Sequence, residues 1–287
     1  MSRPDDVRKS VTETYARAVE RPAAAGGCCC GGGPSPQGVA AALAGYTRED
    51  LAALPPDAVR NSFGCGDPVA LAEVREGETV LDLGSGAGLD LLLAARLVGP
   101  RGRVIGVDMT PAMLERARAN AAAAGLDNVE LRPGLIEDLP VETASIDRVI
   151  SNCVINLSPE KPRVFAEIHR VLKPGGRFSI SDIVAEPLPG WIVELADLYS
   201  ACIAGAIPEA DYVAGLRDAG LADVEVRDRL VYDRAQLRAL LDSELAGSCC
   251  CGPPALSADE LERAADELAG KVASIRVVGR KPEAKTA

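Results

Sequence analysis

Nine cysteines, and one cluster of glycines and aspartates, carry most of the chemistry this 287-residue sequence can offer. Cys65, Cys153 and Cys202 stand alone at distant positions, and the other six form two runs, Cys28, Cys29, Cys30 and Cys249, Cys250, Cys251. A thiolate is a soft nucleophile and a soft ligand, so thiophilic metals and metalloids are its natural targets. Adjacent Cα atoms lie about 3.8 Å apart, less than the roughly 4.4 to 6.8 Å a disulfide spans, so members of one run pair poorly with each other. The runs suit soft-metal ligation; a structural zinc site across the two is the competing reading, and it lacks the usual C-x-x-C spacing. The second cluster is Val80-Leu81-Asp82-Leu83-Gly84-Ser85-Gly86-Ala87-Gly88, an apolar strand entering a glycine turn and then a helix. Gly84 and Gly86 let the backbone turn tightly and approach a ligand. About 20 residues on, a second strand ends in Asp108, placed to accept hydrogen bonds from two ribose hydroxyls. A dinucleotide turn wants G-x-G-x-x-G; here Gly88 comes one place early and Leu89 fills the expected site, which disfavours hydride transfer. The one histidine, His169, falls in a helical segment before the turn Lys173-Pro174-Gly175-Gly176, far from the carboxyl ends of the strands, which leaves no histidine to deprotonate a hydroxyl substrate.

These residues need a scaffold that delivers them to one edge. From Thr79 the sequence alternates short β-rich runs with longer helical stretches, the pattern of βαβ units and a parallel sheet. Strands are predicted at 79–83, 103–107, 129–133, 147–152, 177–183, 224–231 and 272–279. Helices are predicted at 88–98, 111–124, 160–172, 191–205, 209–219, 234–246 and 258–269, with earlier pieces at 5–20, 39–45 and 48–54 and a further turn at 56–60. The expected fold is α/β: a doubly wound, Rossmann-like seven-stranded sheet with an N-terminal helical appendage and a C-terminal cysteine-bearing insertion. The expected division is 1–63, an N-terminal helical and cysteine-rich segment; 64–185, the ligand-binding core; and 186–287, a C-terminal region completing the sheet. Hydrophobic residues make up 47% and charged residues 25%, which fits a folded globular chain. A net charge of -11 repels a phosphate backbone, and aromatics at 3% are too few to stack bases, so neither nucleic acid nor an anionic membrane is an expected partner. No signal-peptide core or spanning segment is read, and the expectation is a cytoplasmic protein whose cysteines stay as thiols.

The G-x-G-x-G turn preceded by Asp82 resembles the class I S-adenosylmethionine-dependent methyltransferases. That resemblance implies that Asp82 helps hold the methionine part and Asp108 the ribose. It also implies that Ile136 and Met109 flank the adenine, and that Glu137 or the backbone beside it meets the exocyclic amine. Ser151-Asn152-Cys153-Val154-Ile155-Asn156-Leu157-Ser158 replaces the Asn/Asp-Pro-Pro-aromatic motif of nucleobase-amine methyltransferases, and Asn152 joins the expected cofactor contacts. This segment resembles the arsenite methyltransferases, as do Asn61-Ser62-Phe63-Gly64-Cys65-Gly66-Asp67-Pro68, the run Val104 to Pro111 and the segment Leu198 to Ala206 around Cys202. The resemblance implies that Cys153 and Cys202 hold trivalent arsenic, that Cys65 completes or recycles the site, and that a thiol reductant such as glutathione or thioredoxin restores it. Arsenite is the expected substrate, and the terminal cysteine runs would capture it. Two other readings stay open: a carbon or oxygen methyltransferase of a quinone or similar metabolite, and a thiol-based metalloid-binding or sensing protein.

Overall fold

The computed structural model of the chain describes residues 4–20, 44–193, 202–245 and 257–284. The cysteine runs at 28–30 and 249–251 lie outside the described residues, as do 39–43 of the predicted helix 39–45 and 194–201 of the predicted helix 191–205.

Seven strands form one sheet: β1 (Thr79–Leu83), β2 (Arg103–Asp108), β3 (Val129–Pro133), β4 (Ile146–Asn152), β5 (Leu172–Ala185), β6 (Ala222–Val231) and β7 (Val272–Arg280). Their order across the sheet is β3-β2-β1-β4-β5-β7-β6. Val80, Leu81 and Leu83 are fully buried, as a central parallel strand covered on both faces requires. β1 pairs in parallel with β2 on one side and β4 on the other, so successive connections diverge from β1 and leave a crevice at the strand ends. The all-parallel expectation needs correction at β7, which slots between β5 and β6 and runs antiparallel to both. β5 also begins earlier than predicted: Leu172 already pairs with Ile146, and the ladder shifts register before Arg148 meets Arg177. Lys173 to Gly176 therefore lies within the strand as an irregularity, where a separate helix-to-strand turn was expected.

The helices that bear on the site begin with α1 (Pro4–Glu20), α2 (Arg48–Ala52), α3 (Pro56–Arg60) and α4 (Pro68–Leu71). Next come α5 (Leu89–Val98), almost entirely buried beside β1 and β2, and α6 (Pro111–Ala123). After β4 a short 3-10 turn, Ile155–Leu157, leads to α7 (Lys161–Val171). The half-buried His169 sits on α7 near Gly220 and Lys281, as its sequence position implied. Across the other face, α9 (Glu209–Asp218) follows the four-residue α8 (Gly190–Val193) and packs on α7 and β6. The α7–α9 contact rests on Phe165, edge-on to Tyr212 at 5.3 Å between ring centroids. Gly215 admits the Phe165 ring, because a Cβ there would sit 2.7 Å from it. α10 (Arg234–Leu245) and α11 (Ala258–Leu268) pair with each other, and Leu237, Leu241, Ala264 and Leu268 share a buried cluster with Val272 of β7. Among the described residues, no helix is long and apolar enough to cross a membrane. Phe165→Ala is expected to cost about 3 to 5 kcal/mol, read as a lowered urea midpoint with an unchanged m-value.

Candidate active site

The glycine turn after β1 is built as its sequence requires: Gly84, Gly86 and Gly88 all have positive φ, at 62°, 51° and 97°. Gly84 is doubly constrained, since a Cβ there would also lie 2.3 Å from the Val154 side chain. The turn forms one wall of a cleft at the carboxyl ends of the strands. Asp82, Gly84, Gly86, Asp108, Met109, Ile136, Glu137, Asn152 and Cys153 all line it, so the structure brings together nearly every residue proposed for the cofactor. Gly88 instead caps α5 in left-handed conformation, just outside the lining.

Asp108 accepts hydrogen bonds from the Gly86 N–H at 3.0 Å and the Thr110 N–H at 2.7 Å, which fix its carboxylate at the end of β2. Asp82 is buried, and its Oδ2 has no partner among the described residues. Burial, with Asp90 and Asp108 nearby, pushes the Asp82 carboxyl well above the ordinary range. Four acids, Asp82, Asp90, Asp108 and Glu137, face a cleft in which Arg8 is the one basic lining residue described. An orphaned buried carboxylate oxygen in an acid-rich cleft fits a cationic ligand, and a sulfonium carrying an α-amino group is one.

Asn152 does more than touch the cleft. Its Oδ1 accepts from the N–H groups of Cys65 (3.0 Å) and Gly66 (3.3 Å). Its Nδ2 donates to Gly66 O (2.7 Å), Asp90 Oδ2 (2.9 Å) and the Tyr46 hydroxyl (2.9 Å). The side chain thus clamps the Cys65 loop onto the β4 end, and Gly64 has no room for a Cβ beside it. Asp90, also bonded by Tyr46 OH at 2.7 Å, is lifted to about 7, chiefly by burial. Sequence spacing pointed to neither Tyr46 nor Asp90, because each acts only through a partner distant in the chain.

The three single cysteines converge, in a form the sequence did not foretell. Cys65 and Cys153 are joined by a disulfide with Cα atoms 6.0 Å apart, which corrects the expectation that all cysteines are thiols. The Asn152 clamp and the turn of the chain at Cys153 bring the two within bonding reach. Cys202 is buried, and its Sγ donates to the Cys153 carbonyl at 2.7 Å. Cys153 and Cys202 both hold positive φ, 54° and 60°, a region that costs a non-glycine residue energy and is retained where neighbours enforce it. The enforcing contacts are the Cys153 N–H to Ser181 O at 2.8 Å and the Asn156 amide, which reaches Cys202 O at 3.4 Å and Asp182 at 3.0 Å. Asp182 also accepts from Tyr212 OH at 3.0 Å and is raised to about 6 by burial. Among the described residues no three His, Cys, Asp or Glu side chains form a ready metal site, so the three sulfurs are adjacent without yet being an open ligand set.

Replacing Asp108 with Ala is expected to weaken S-adenosylhomocysteine binding by about 1.5 to 3 kcal/mol, measured by calorimetry. Asp90 predicts a pH effect on stability. A carboxyl raised above its unfolded value near 3.9 contributes stability that is complete below that pH and is lost as the pH climbs through about 7. Asp90→Asn should therefore show a smaller loss of urea stability than the parent between pH 4 and pH 7.5, and an equal loss would remove Asp90 as the source.

Residues 75–238 match the family described as "Methyltransferase domain". The chain is 51% identical over 183 residues to an arsenite methyltransferase of Halobacterium salinarum, covering 63% of this chain and 46% of that protein. It is 38% identical over 215 residues to the arsenite methyltransferase of Aquipseudomonas alcaligenes, covering 72% of this chain and 60% of that one. The chain thus spans about half the length of the curated relatives it matches. Among solved structures, an arsenic(III) S-adenosylmethionine methyltransferase from Chlamydomonas reinhardtii superposes with a TM-score of 0.58 at 33% identity, covering 87% of this chain and 74% of that one. With the glycine turn, the paired acids and the β1–β4 crevice in place, the chain belongs to the methyltransferase-domain family.

Proposed function

We propose that this protein transfers methyl groups from S-adenosylmethionine to trivalent arsenic bound by cysteine sulfurs. The observation that carries this reading is the meeting of Cys65, Cys153 and Cys202 at the edge of the acid-lined cleft, with Cys153 itself in the cleft wall. Similarity to arsenite methyltransferases over most of the described core supports it. When bound, S-adenosylmethionine supplies an electrophilic methyl group on a sulfonium. Asp82 would face its methionyl end and Asp108 its ribose, with Met109 and Ile136 beside the base and Glu137 at the amine.

The cysteines do the rest. A thiol reductant of the glutathione or thioredoxin class opens the Cys65–Cys153 bond and frees two thiols beside Cys202. In a reducing compartment such a bond would be transient, opened and closed in the course of turnover. Each thiol that binds arsenite forms an As–S bond, and its proton leaves with a displaced hydroxide as water. Arsenic keeps a lone pair, and that pair attacks the methyl carbon in line. No proton is removed in that step, which agrees with a cleft whose described lining holds no histidine. Accepting a methyl cation oxidises arsenic by two electrons. As the Cys65 and Cys153 sulfurs join again in a disulfide, their two As–S bonds break and two electrons return to arsenic, which becomes trivalent; no proton is released, because the thiol protons had already left as water. The terminal runs, Cys28 to Cys30 and Cys249 to Cys251, serve to capture arsenite and pass it inward.

The test is purified protein with arsenite, S-adenosylmethionine and a thiol, followed by arsenic speciation. Methylated arsenic is expected from the parent. Cys153→Ser and Cys202→Ser should each lower turnover by about 100-fold, the scale of a misplaced reacting group, while S-adenosylhomocysteine still binds. Full activity in either variant would return that residue to a packing role.

A further inference from the structure

Helix α1 lies over the cofactor cleft, and Arg8, Val11 and Tyr15 on it line the cleft from that side. It is fastened at both ends. Near its C-terminus the Arg116 guanidinium of α6 donates to the Val19 carbonyl, and between the ends the Tyr15 ring meets Phe63 edge-on at 5.3 Å. Near its N-terminus Arg8 reaches across to Glu137, with Nε at 3.3 Å and Nη2 at 3.1 Å from Oε1, and also pairs with Glu160. Ser158 Oγ donates to the same Glu137 oxygen at 2.7 Å. All three described donors to this buried carboxylate thus converge on Oε1, and none reaches Oε2. A carboxylate has two oxygens with about four acceptor sites, so loading one oxygen from behind fixes the side chain's rotation and leaves the other for a ligand.

We propose that Arg8 is a positioning residue that makes the cleft selective for a 6-aminopurine. It holds Glu137 so that Oε2 accepts from the exocyclic amine and opposes a 6-oxo group, which would bring an acceptor against an acceptor. The proposal rests on the adenosyl reading of the cleft given above. Arg8 is 129 positions from Glu137 in sequence, and it belongs to the helical appendage, outside the nucleotide fold. The selectivity is therefore built by α1 docking, and the sheet and its loops supply only half of it.

The test compares S-adenosylhomocysteine with S-inosylhomocysteine by calorimetry, with thermal melting as the check on folding. The parent should prefer the adenosyl probe by at least about tenfold, the lower end for one hydrogen bond to a charged group. Arg8→Ala should bring the two affinities within about threefold, mostly by weakening the adenosyl probe, and Arg8→Lys should restore only part of the preference because it lacks the fork of donors. Arg116→Ala loosens the other end of α1 without touching Glu137, and it should keep the preference. Full preference in Arg8→Ala overturns the proposal. So does an equal loss of affinity for both probes, or a collapse in Arg116→Ala as large as in Arg8→Ala, since either would make Arg8 a fastener of the helix only. A parent that binds neither probe would instead overturn the adenosyl reading, and the proposal with it.

Discussion

The pairing of β1 with β4 is the constraint from which the site follows. β1 could extend the sheet on one side only; because it is paired on both, the chain leaving β1 and the chain leaving β4 emerge side by side and turn apart. The first of these turns is the glycine loop and the second carries Asn152 and Cys153. Val154 packs where a Gly84 side chain would be, so the two turns are fitted to each other at the level of single atoms. A side chain at Gly84 would have to displace Val154, so the glycine turn and the turn that carries Cys153 share one mechanical origin.

Asn152 extends that coupling to a third segment. One amide group satisfies the backbone of Cys65 and Gly66 and the side chains of Asp90 and Tyr46. Its position at the strand end looks like a ligand contact, and it does line the cleft, but its hydrogen-bonding capacity is spent on the protein. Besides the disulfide, the loop at Cys65 is held against the sheet by this residue and by Ser274, whose hydroxyl donates to Cys65 O at 2.9 Å. Buried polar groups tied this completely rigidify their surroundings, and here they fix a cysteine that must meet its partner within bonding distance.

What the sequence made legible are features written within a few residues. The run Val80 to Gly88 reads as strand, turn and helix because buried apolar residues and left-handed glycines both leave local marks, and Asp108 follows at a spacing set by one helix and one strand. The antiparallel β7 left no such mark, because strand direction depends on which partner the chain finds after a long excursion. The Cys65–Cys153 bond, the Asn152 clamp and the Arg8–Glu137 pair are likewise contacts between positions 88, 87 and 129 apart, which composition and periodicity do not encode. Cys153 and Cys202 were legible as residue types in suggestive places. Their shared left-handed backbone was not, since cysteine carries no preference for it.

The cross-link between Cys65 and Cys153 closes a loop spanning 88 positions of sequence. Restricting an unfolded chain over that length is worth roughly 4 to 5 kcal/mol in the chain-entropy account. That is a large share of the 5 to 15 kcal/mol, roughly, by which a folded domain outlasts its unfolded chain. The cross-linked form is therefore the durable one, and the reduced form unfolds more easily. Under the proposed chemistry, an abundant thiol pool would keep this protein active and comparatively easy to unfold, whereas oxidation would silence it and preserve it together.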